Sequence, residues 1–353
     1  MNKRYFTTPL LLTLLLMLAP AAFGQIGLTH ETEVETQKRA QTGMKFLSLS
    51  VDARAAAIGS AMTAEMQGSS TSMFYNPAGM AFMDGSFHAG VGNLGFIADI
   101  TYNQASVAYR PSGANLGVFG LSLVNVDYGD FVGTIRANNE DGFVETGMYS
   151  PTAMAIGFGY ARSFSDRFSA GANVKYAVQD FVGDFATSQD FDTGVVATNE
   201  SYKNSTVAID FGVLYATGFR SLVIAMSARN FSRELTYVRE RFELPLTFQV
   251  GIAMNVVDFT AMDPNMHALM LHVDAQRPRD FSEHVRFGAE YTFMNIISIR
   301  GGFEQLAASE EQGVSLGAGL QYELSSFKIG ADYAYTDFGI FGSLSRIAVK
   351  VGM

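Results

Sequence analysis

The stretch Val285-Arg286-Phe287-Gly288-Ala289-Glu290-Tyr291-Thr292-Phe293 puts Val, Phe, Ala, Tyr and Phe on one side of an extended chain and Arg, Gly, Glu and Thr on the other. Successive side chains of a β-strand point to opposite faces, so this segment reads as a strand with one apolar face and one polar or small face. The pattern recurs on both sides of it. Phe327, Ile329, Ala331, Tyr333 and Tyr335 alternate with Lys328, Gly330, Asp332 and Ala334, and Ile347, Val349, Val351 and Met353 alternate with Arg346, Ala348, Lys350 and Gly352. Upstream, residues 168–178 and 207–215 alternate in the same way.

Two architectures use such strands. A soluble β-sandwich buries the apolar faces against each other; a transmembrane barrel turns them to lipid and keeps the polar faces in its lumen. The alternating segments run ~9–13 residues, the length that crosses a bilayer at a tilt, against about five or six for an ordinary strand. Ionisable residues recur on the polar faces (Lys175, Asp210, Asp274, Arg286, Glu290, Arg300, Lys328, Asp332 and Arg346), where a lumen can hydrate and pair them. Phe and Tyr gather toward segment ends, as an interfacial belt requires. The segments are 86–96, 100–110, 115–127, 148–162, 168–180, 203–216, 221–231, 244–255, 267–277, 283–293, 297–304, 314–323, 327–336 and 344–352. Connections after the second, fourth, sixth, tenth and twelfth are short, whereas 128–147 and 181–202 are long and polar. An even strand number with long outer loops and short inner turns is the outer-membrane pattern. The sequence therefore predicts an all-β fold, a fourteen-stranded antiparallel transmembrane β-barrel.

Composition agrees. Apolar residues make up 48% of the 353-residue chain and charged ones 16%, too apolar for disorder and too charge-poor for a typical soluble enzyme. Beyond the N-terminus there is no uninterrupted run of ~18 apolar residues that would make a spanning helix. A net charge of -10 argues against a nucleic-acid partner. The absence of Cys excludes disulfides, thiolate chemistry and zinc–thiolate sites, and five scattered His leave little for a metal cluster. No cofactor and no metal is expected. At the start, Lys3 and Arg4 precede an apolar run over 9–18, with Ala22 and Gly24 placed as the small residues of a cleavage site. That layout is a Sec signal peptide over 1–24 that exports the chain, and together with the barrel it predicts an integral multi-pass protein of the cell outer membrane.

Residues 25–85 break the alternation and suggest an N-terminal extension followed by a plug or hatch inside the barrel of 86–353. Asp52 can cap a short helix through Arg54 and Ala57 that Gly59 ends. Asn76-Pro77-Ala78-Gly79 is a turn, since the residue before Pro is pushed out of the α region, and it is expected to lead the chain from hatch to wall. Arg54 is expected to pair with a luminal carboxylate, because buried charges are paired.

The block FLSLSVDARAAAIGSAMTAEMQGSSTSMFYNPAGMAF (46–82) resembles the N-terminal signature of the PorV/PorQ group of outer-membrane proteins, relatives of the FadL hydrophobic-compound transporters. The ending FKIGADYAYTDFGIFGSLSRIAVKVGM (327–353) resembles the last two strands of the same group. The resemblance implies a hatch carrying Asp52, Arg54, Asn76, Pro77, Ala78 and Gly79, structural or gating, in a fourteen-stranded barrel. It also implies a role in type IX secretion. Such a protein binds secreted cargo through its C-terminal signal domain and shuttles it from the translocon to the surface attachment complex. Its partners are then outer-membrane lipid, cargo, translocon and attachment-complex components. The competing class is a FadL-type channel for small hydrophobic compounds, which needs a continuous apolar path.

Catalysis finds little support. His267 and His272 are five apart on one strand and face opposite ways, so they cannot share a metal. His88 and His284 have no motif partner, and no enzyme is expected. The outer loops carry Asp127, Asp130, Glu140, Asp141, Glu145, Asp184, Asp190 and Asp192. This acidic rim is either a solvated surface or a docking surface for a partner with basic patches, and its residues are the candidate cargo contacts.

Overall fold

The computed structural model describes residues 42–112, 116–181, 202–237, 240–305 and 313–353. The expected leader over 1–24 and the stretch 25–41 lie outside them. Fourteen antiparallel strands form a closed barrel in which each strand pairs with its neighbours in chain order and the first pairs with the last. They are β1 (Phe87–Gly95), β2 (Thr101–Tyr109), β3 (Val118–Asp127), β4 (Thr152–Ser165), β5 (Phe168–Asp180), β6 (Lys203–Ala216) and β7 (Val223–Ser232). The second half comprises β8 (Thr247–Asn255), β9 (His267–Pro278), β10 (His284–Phe293), β11 (Ile297–Gln305), β12 (Val314–Leu324), β13 (Phe327–Asp337) and β14 (Ser343–Gly352). Closure sets Val91 of β1 opposite Val349 of β14, and β1 starts where the chain ends: Ser86 N–H donates to the Met353 carbonyl at 2.7 Å.

The faces divide as alternation requires. Val91, Leu121, Ile299 and Leu320 are among the exposed outward residues, while Lys175, Asp210, Asp274, Glu290, Arg300, Asp332 and Arg346 point inward and are buried. A lipid-facing apolar band around a polar interior follows directly from the period-two pattern. Lys328 departs from the expectation. It stands at the start of β13 and pairs with Asp84 at the inner rim rather than within the lumen.

Two strand boundaries shift for identifiable reasons. The fourth segment, expected from 148, begins at Thr152, because Met148 and Tyr149 pair instead with Val132 and Phe131. The supposed polar loop 128–147 is in fact largely a β-hairpin of Phe131–Arg136 and Phe143–Tyr149. The eighth segment, expected from 244, begins at Thr247; Pro245 has no N–H to give to a ladder. A second small hairpin, Leu235–Tyr237 with Glu240–Phe242, occupies the connection between β7 and β8. Both hairpins lie at the same end, the one with long connections, which is the outer end by the outer-membrane pattern.

Residues 42–84 run from that outer end to the inner one against the inward faces of the strands. Gly43 N–H donates to the Glu243 carbonyl at 3.0 Å beside β8, and the segment leaves at Gly85, next to Met353. Between these points are a 3-10 turn Lys45–Ser48, a helix Ala53–Ala57, and 3-10 stretches Ser70–Phe74 and Pro77–Phe82. The outer part is apolar. Met44, Phe46, Leu47 and Val51 pack with Leu94, Tyr102, Val126, Leu235, Leu244 and Leu344. The inner part is built on methionine, with Met73, Met80 and Met83 against Ala108, Val118 and Ala161. Methionine suits such a site, since an unbranched thioether fills irregular gaps between a curved wall and a short helix.

Candidate functional site

Between these two apolar layers lies a chain of alternating charges. The Asp52 side chain caps the helix Ala53–Ala57, accepting from Ala55 N–H at 2.9 Å. Gly59, with φ at +64°, ends that turn, and a Cβ there would lie 3.1 Å from backbone atoms of Phe287 and Phe303 on β10 and β11. A short helix closed so tightly against the wall fixes the direction of Arg54. Its Nε donates to Glu290 Oε2 at 2.8 Å and its Nη2 to Glu65 Oε2 at 2.8 Å. Glu290 is shared with Arg300, which also donates to Asp332 Oδ1 at 2.6 Å. Lys350 then bridges Asp332 at 3.1 Å and Asp52 at 3.2 Å. The series Glu65, Arg54, Glu290, Arg300, Asp332, Lys350 and Asp52 thus begins and ends on the internal segment and passes through four strands of the wall. Burial works against the Arg54 charge, but Glu290 and Glu65 outweigh it and hold the guanidinium well above its usual range, so it stays charged.

The opposite side of the lumen holds the segment by close approach. The Asn76 side chain accepts from Ala78 N–H at 3.1 Å, and its amide donates to the carbonyls of Thr63 at 2.8 Å and Val213 at 3.2 Å. Pro77 opens the following 3-10 stretch, a position where its missing N–H costs nothing. A Cβ at Gly171 of β5 would stand 2.6 Å from the Pro77 carbonyl carbon, so no larger residue fits there without movement. Gly120 and Gly159 face Met73 and Met80, and Gly317 faces Ala57, which gives the wall glycines their packing role. Asn76-Pro77-Ala78 therefore does not turn the chain into the wall. It starts a helical turn beside β5 and β6, and the wall begins only after Gly85. Ala78 and Gly79 are buried in that turn.

A third polar group is local to β5–β7. Lys175 lies 2.9 Å from Asp210 Oδ2, and Asp210 sits where the β6–β7 register shifts. Asn230, at φ +63°, donates its backbone N–H to Asp210 Oδ1 at 2.7 Å. The extra residue of this bulge lies in β7, and it turns the Asn230 backbone N–H onto the carboxylate.

Several of these residues escaped the sequence reading. Glu65 and Lys350 carry no motif, although Lys350 stands on the polar face of the last strand. His284 lies 3.0 Å from Glu304, and His88 Nδ1 lies 2.9 Å from Ser70 Oγ. His267 and His272 do face opposite ways: His267 Nδ1 lies 2.7 Å from the Tyr291 hydroxyl, while His272 is buried. At the outer end, Asp130, Glu140, Asp141 and Glu145 are exposed on or beside the hairpin 131–149, with Phe131, Val132, Phe143, Val144 and Met148 exposed among them. Asp184, Asp190 and Asp192 lie outside the described residues.

The model of the type IX secretion system membrane protein PorP/SprF family matches residues 132–343, more than half of the chain. The chain belongs to the PorP/SprF family. The match starts after the 46–82 block, so it does not include the stretch that resembles PorV/PorQ. Among solved structures, the barrel is similar to the toluene transporter TbuX of Ralstonia pickettii, with a TM-score of 0.53 and 14% identity, covering 84% of this chain and 96% of that one. The monoaromatic hydrocarbon channel CymD gives 0.51 at 14% identity, covering 85% and 96%. The toluene transporter TodX of Pseudomonas putida gives 0.50 at 13% identity, covering 84% and 96%. At such identities the likeness is one of fold. No curated protein matches the chain. A PorP/SprF barrel with a lipid-facing apolar band is an outer-membrane protein of the type IX secretion system.

Proposed function

We propose that this PorP/SprF-family barrel works at its outer rim, binding exported proteins through their C-terminal signal domains and handing them from the translocon to the surface attachment complex, without catalysis of its own. The observation that carries the reading is where exposed, partner-competent surface is found. The lumen is crossed by residues 42–84 and capped by the Met44, Phe46 and Leu47 cluster. The hairpin 131–149, by contrast, stands at the outer end with apolar and acidic side chains interleaved and exposed. Rims that mix aromatic anchors with charge are suited to protein partners. The resemblance of 46–82 to PorV/PorQ supports the shuttle step in particular.

The alternative is passage of small hydrophobic compounds, as the names of TbuX and CymD state for those proteins. Such passage needs an apolar route, and the charge chain from Glu65 to Asp52 crosses the middle of this lumen. The test is affinity purification from outer membranes in mild detergent, with mass spectrometry of proteins and lipids, on the wild type and on a variant whose 131–149 hairpin is replaced by a short Gly-Ser turn. Secreted proteins sharing a C-terminal domain should be recovered with the wild type and lost with the variant. Recovery of apolar ligands without such proteins would move the assignment to transport.

A further inference from the structure

A cavity of about 80 Å³ lies in mid-lumen, between the 46–51 stretch and Phe74 and Tyr75. Its charged lining is one-sided: Lys175, Arg229, Arg286 and Arg346 against Glu304. Two of these cations are neutralised where they stand, Lys175 by Asp210 and Arg286 by Glu304, each at 2.9 Å. Arg229 and Arg346 have no carboxylate within ion-pair distance among the described residues. Arg346 donates from Nε to the Ser50 carbonyl and from Nη1 to Thr336 Oγ1, both at 2.9 Å. Arg229 makes only a long bond, 3.4 Å from Nη2 to the Leu47 carbonyl, and its Nε is buried with no acceptor.

These two strands, β7 and β14, stand half-way round the barrel from each other. Their guanidinium groups therefore converge on the cavity from opposite walls. Tyr75 lies between them, its ring centroid 5.9 Å from the Arg229 guanidinium carbon and its hydroxyl 2.7 Å from Ser50 Oγ. Burial, and then the Asp52 carboxylate, hold that hydroxyl well above its usual range, so it keeps its proton and can donate. Asp52 itself is committed to Lys350 and the helix cap, and Glu304 to Arg286 and His284. Uncompensated buried cations are costly, and a cavity faced by two of them offers an anion the strong, charge-assisted kind of hydrogen bond.

We propose that this cavity is a binding site for an oxyanion, a phosphate or carboxylate group held between Arg229 and Arg346 with the Tyr75 hydroxyl as a third donor. The size agrees. One water needs about 10–15 Å³ on the same measure, so the space takes an oxyanion together with bound waters. The source is a free inorganic ion or the carboxylate terminus of a longer molecule.

The test uses the full chain, purified in detergent and exchanged into chloride buffer at fixed ionic strength. Melting temperature and calorimetric heat are followed during titration with inorganic phosphate and, separately, acetate. The site predicts a saturable rise with at least one of them: with phosphate for a free ion, with acetate alone for a carboxylate terminus. Arg229→Gln should weaken binding about tenfold or more, the loss of a charge-assisted donor. Barrel folding in each variant is checked by heat-modifiable gel mobility. Tyr75→Phe keeps the ring, removes only the hydroxyl and should weaken binding by a smaller factor. Native mass spectrometry identifies any anionic molecule retained from the cell. No saturable response to either anion together with no retained anion, or unchanged binding in folded Arg229→Gln, would overturn the proposal.

Discussion

The wall grips residues 42–84 by close packing on both sides and by charge on only one. Across β10 to β14 charge is added to close packing: Gly288, Gly302 and Gly317 admit Ile58, Gly59 and Ala57, while Glu290, Arg300, Asp332 and Lys350 engage Arg54 and Asp52 in one alternating series. Across β3 to β6 no ion pair joins segment and wall among the described residues, and packing holds alone, with glycines of the wall admitting the backbone and methionines of the segment. The difference teaches what each kind of contact can specify. A charge series fixes which residue meets which, because any register slip leaves a buried ion unpaired, yet desolvation cancels much of its net contribution. Close packing fixes distance and supplies dispersion and burial, but a glycine row by itself tolerates sliding.

The comparison breaks most visibly at Glu290. Glu290→Ala takes one of two carboxylate partners from both Arg54 and Arg300, leaving Glu65 and Asp332, and we expect a loss of about 3 kcal/mol, seen as faster hydrogen exchange over 53–65 and a lower melting temperature. A loss below about 1 kcal/mol would mean that the charge series does not hold the segment. On the steric side, Gly171→Ala drives a Cβ against the Pro77 carbonyl and should cost about 1–3 kcal/mol. Gly301→Ala, whose nearest neighbour would be 3.8 Å away, should stay within about 0.5 kcal/mol. Equal effects at the two glycines in a melting experiment would remove the steric half of the comparison.

Asn76→Ala removes an N-cap and two donated bonds, and should cost about 1–2 kcal/mol, with faster exchange confined to 76–82. The smallest effect belongs to the exposed Asp84–Lys328 pair at the inner rim. The hydrogen bond and charge of Lys328 hold the Asp84 carboxyl below its usual range. A carboxylate lowered in the folded state contributes above its unfolded pKa, and the contribution fades as pH falls through the folded value. Asp84→Asn should therefore change stability by no more than about 0.5 kcal/mol at neutral pH, screened by solvent, with no difference from wild type in strong acid.

The barrel was legible because alternation is a one-dimensional signal. The segment 168–180 was read to the residue as β5, and 203–216 as β6. The two hairpins were not, since short apolar–polar runs such as Phe131–Arg136 are masked by the Asp, Asn and Glu around them. Helix capping by Asp52 is a local matter and could be read from the Asp52 to Gly59 spacing. The partner of Arg54 could be named only as a luminal carboxylate, because choosing Glu290 over Asp274 or Asp332 depends on where the helix sits in the ring. Arg229 carries no signal in the sequence, as a single basic residue late in an alternating strand looks like any rim charge. Its lack of a carboxylate exists only in three dimensions.

The central claim is that residues 42–84 stay against the wall while the protein works at its outer rim. The chain has no Cys, so a disulfide can be introduced cleanly. A Cβ at Gly90 of β1 would stand 3.3 Å from Thr71 Cγ2, so the two side chains meet and cysteines at these positions come within reach of a bridge. Export of type IX cargo by cells carrying Thr71→Cys with Gly90→Cys should be the same whether the bridge is oxidised or reduced. Export that stops on oxidation and returns on reduction would show that the segment must move, and would contradict the account.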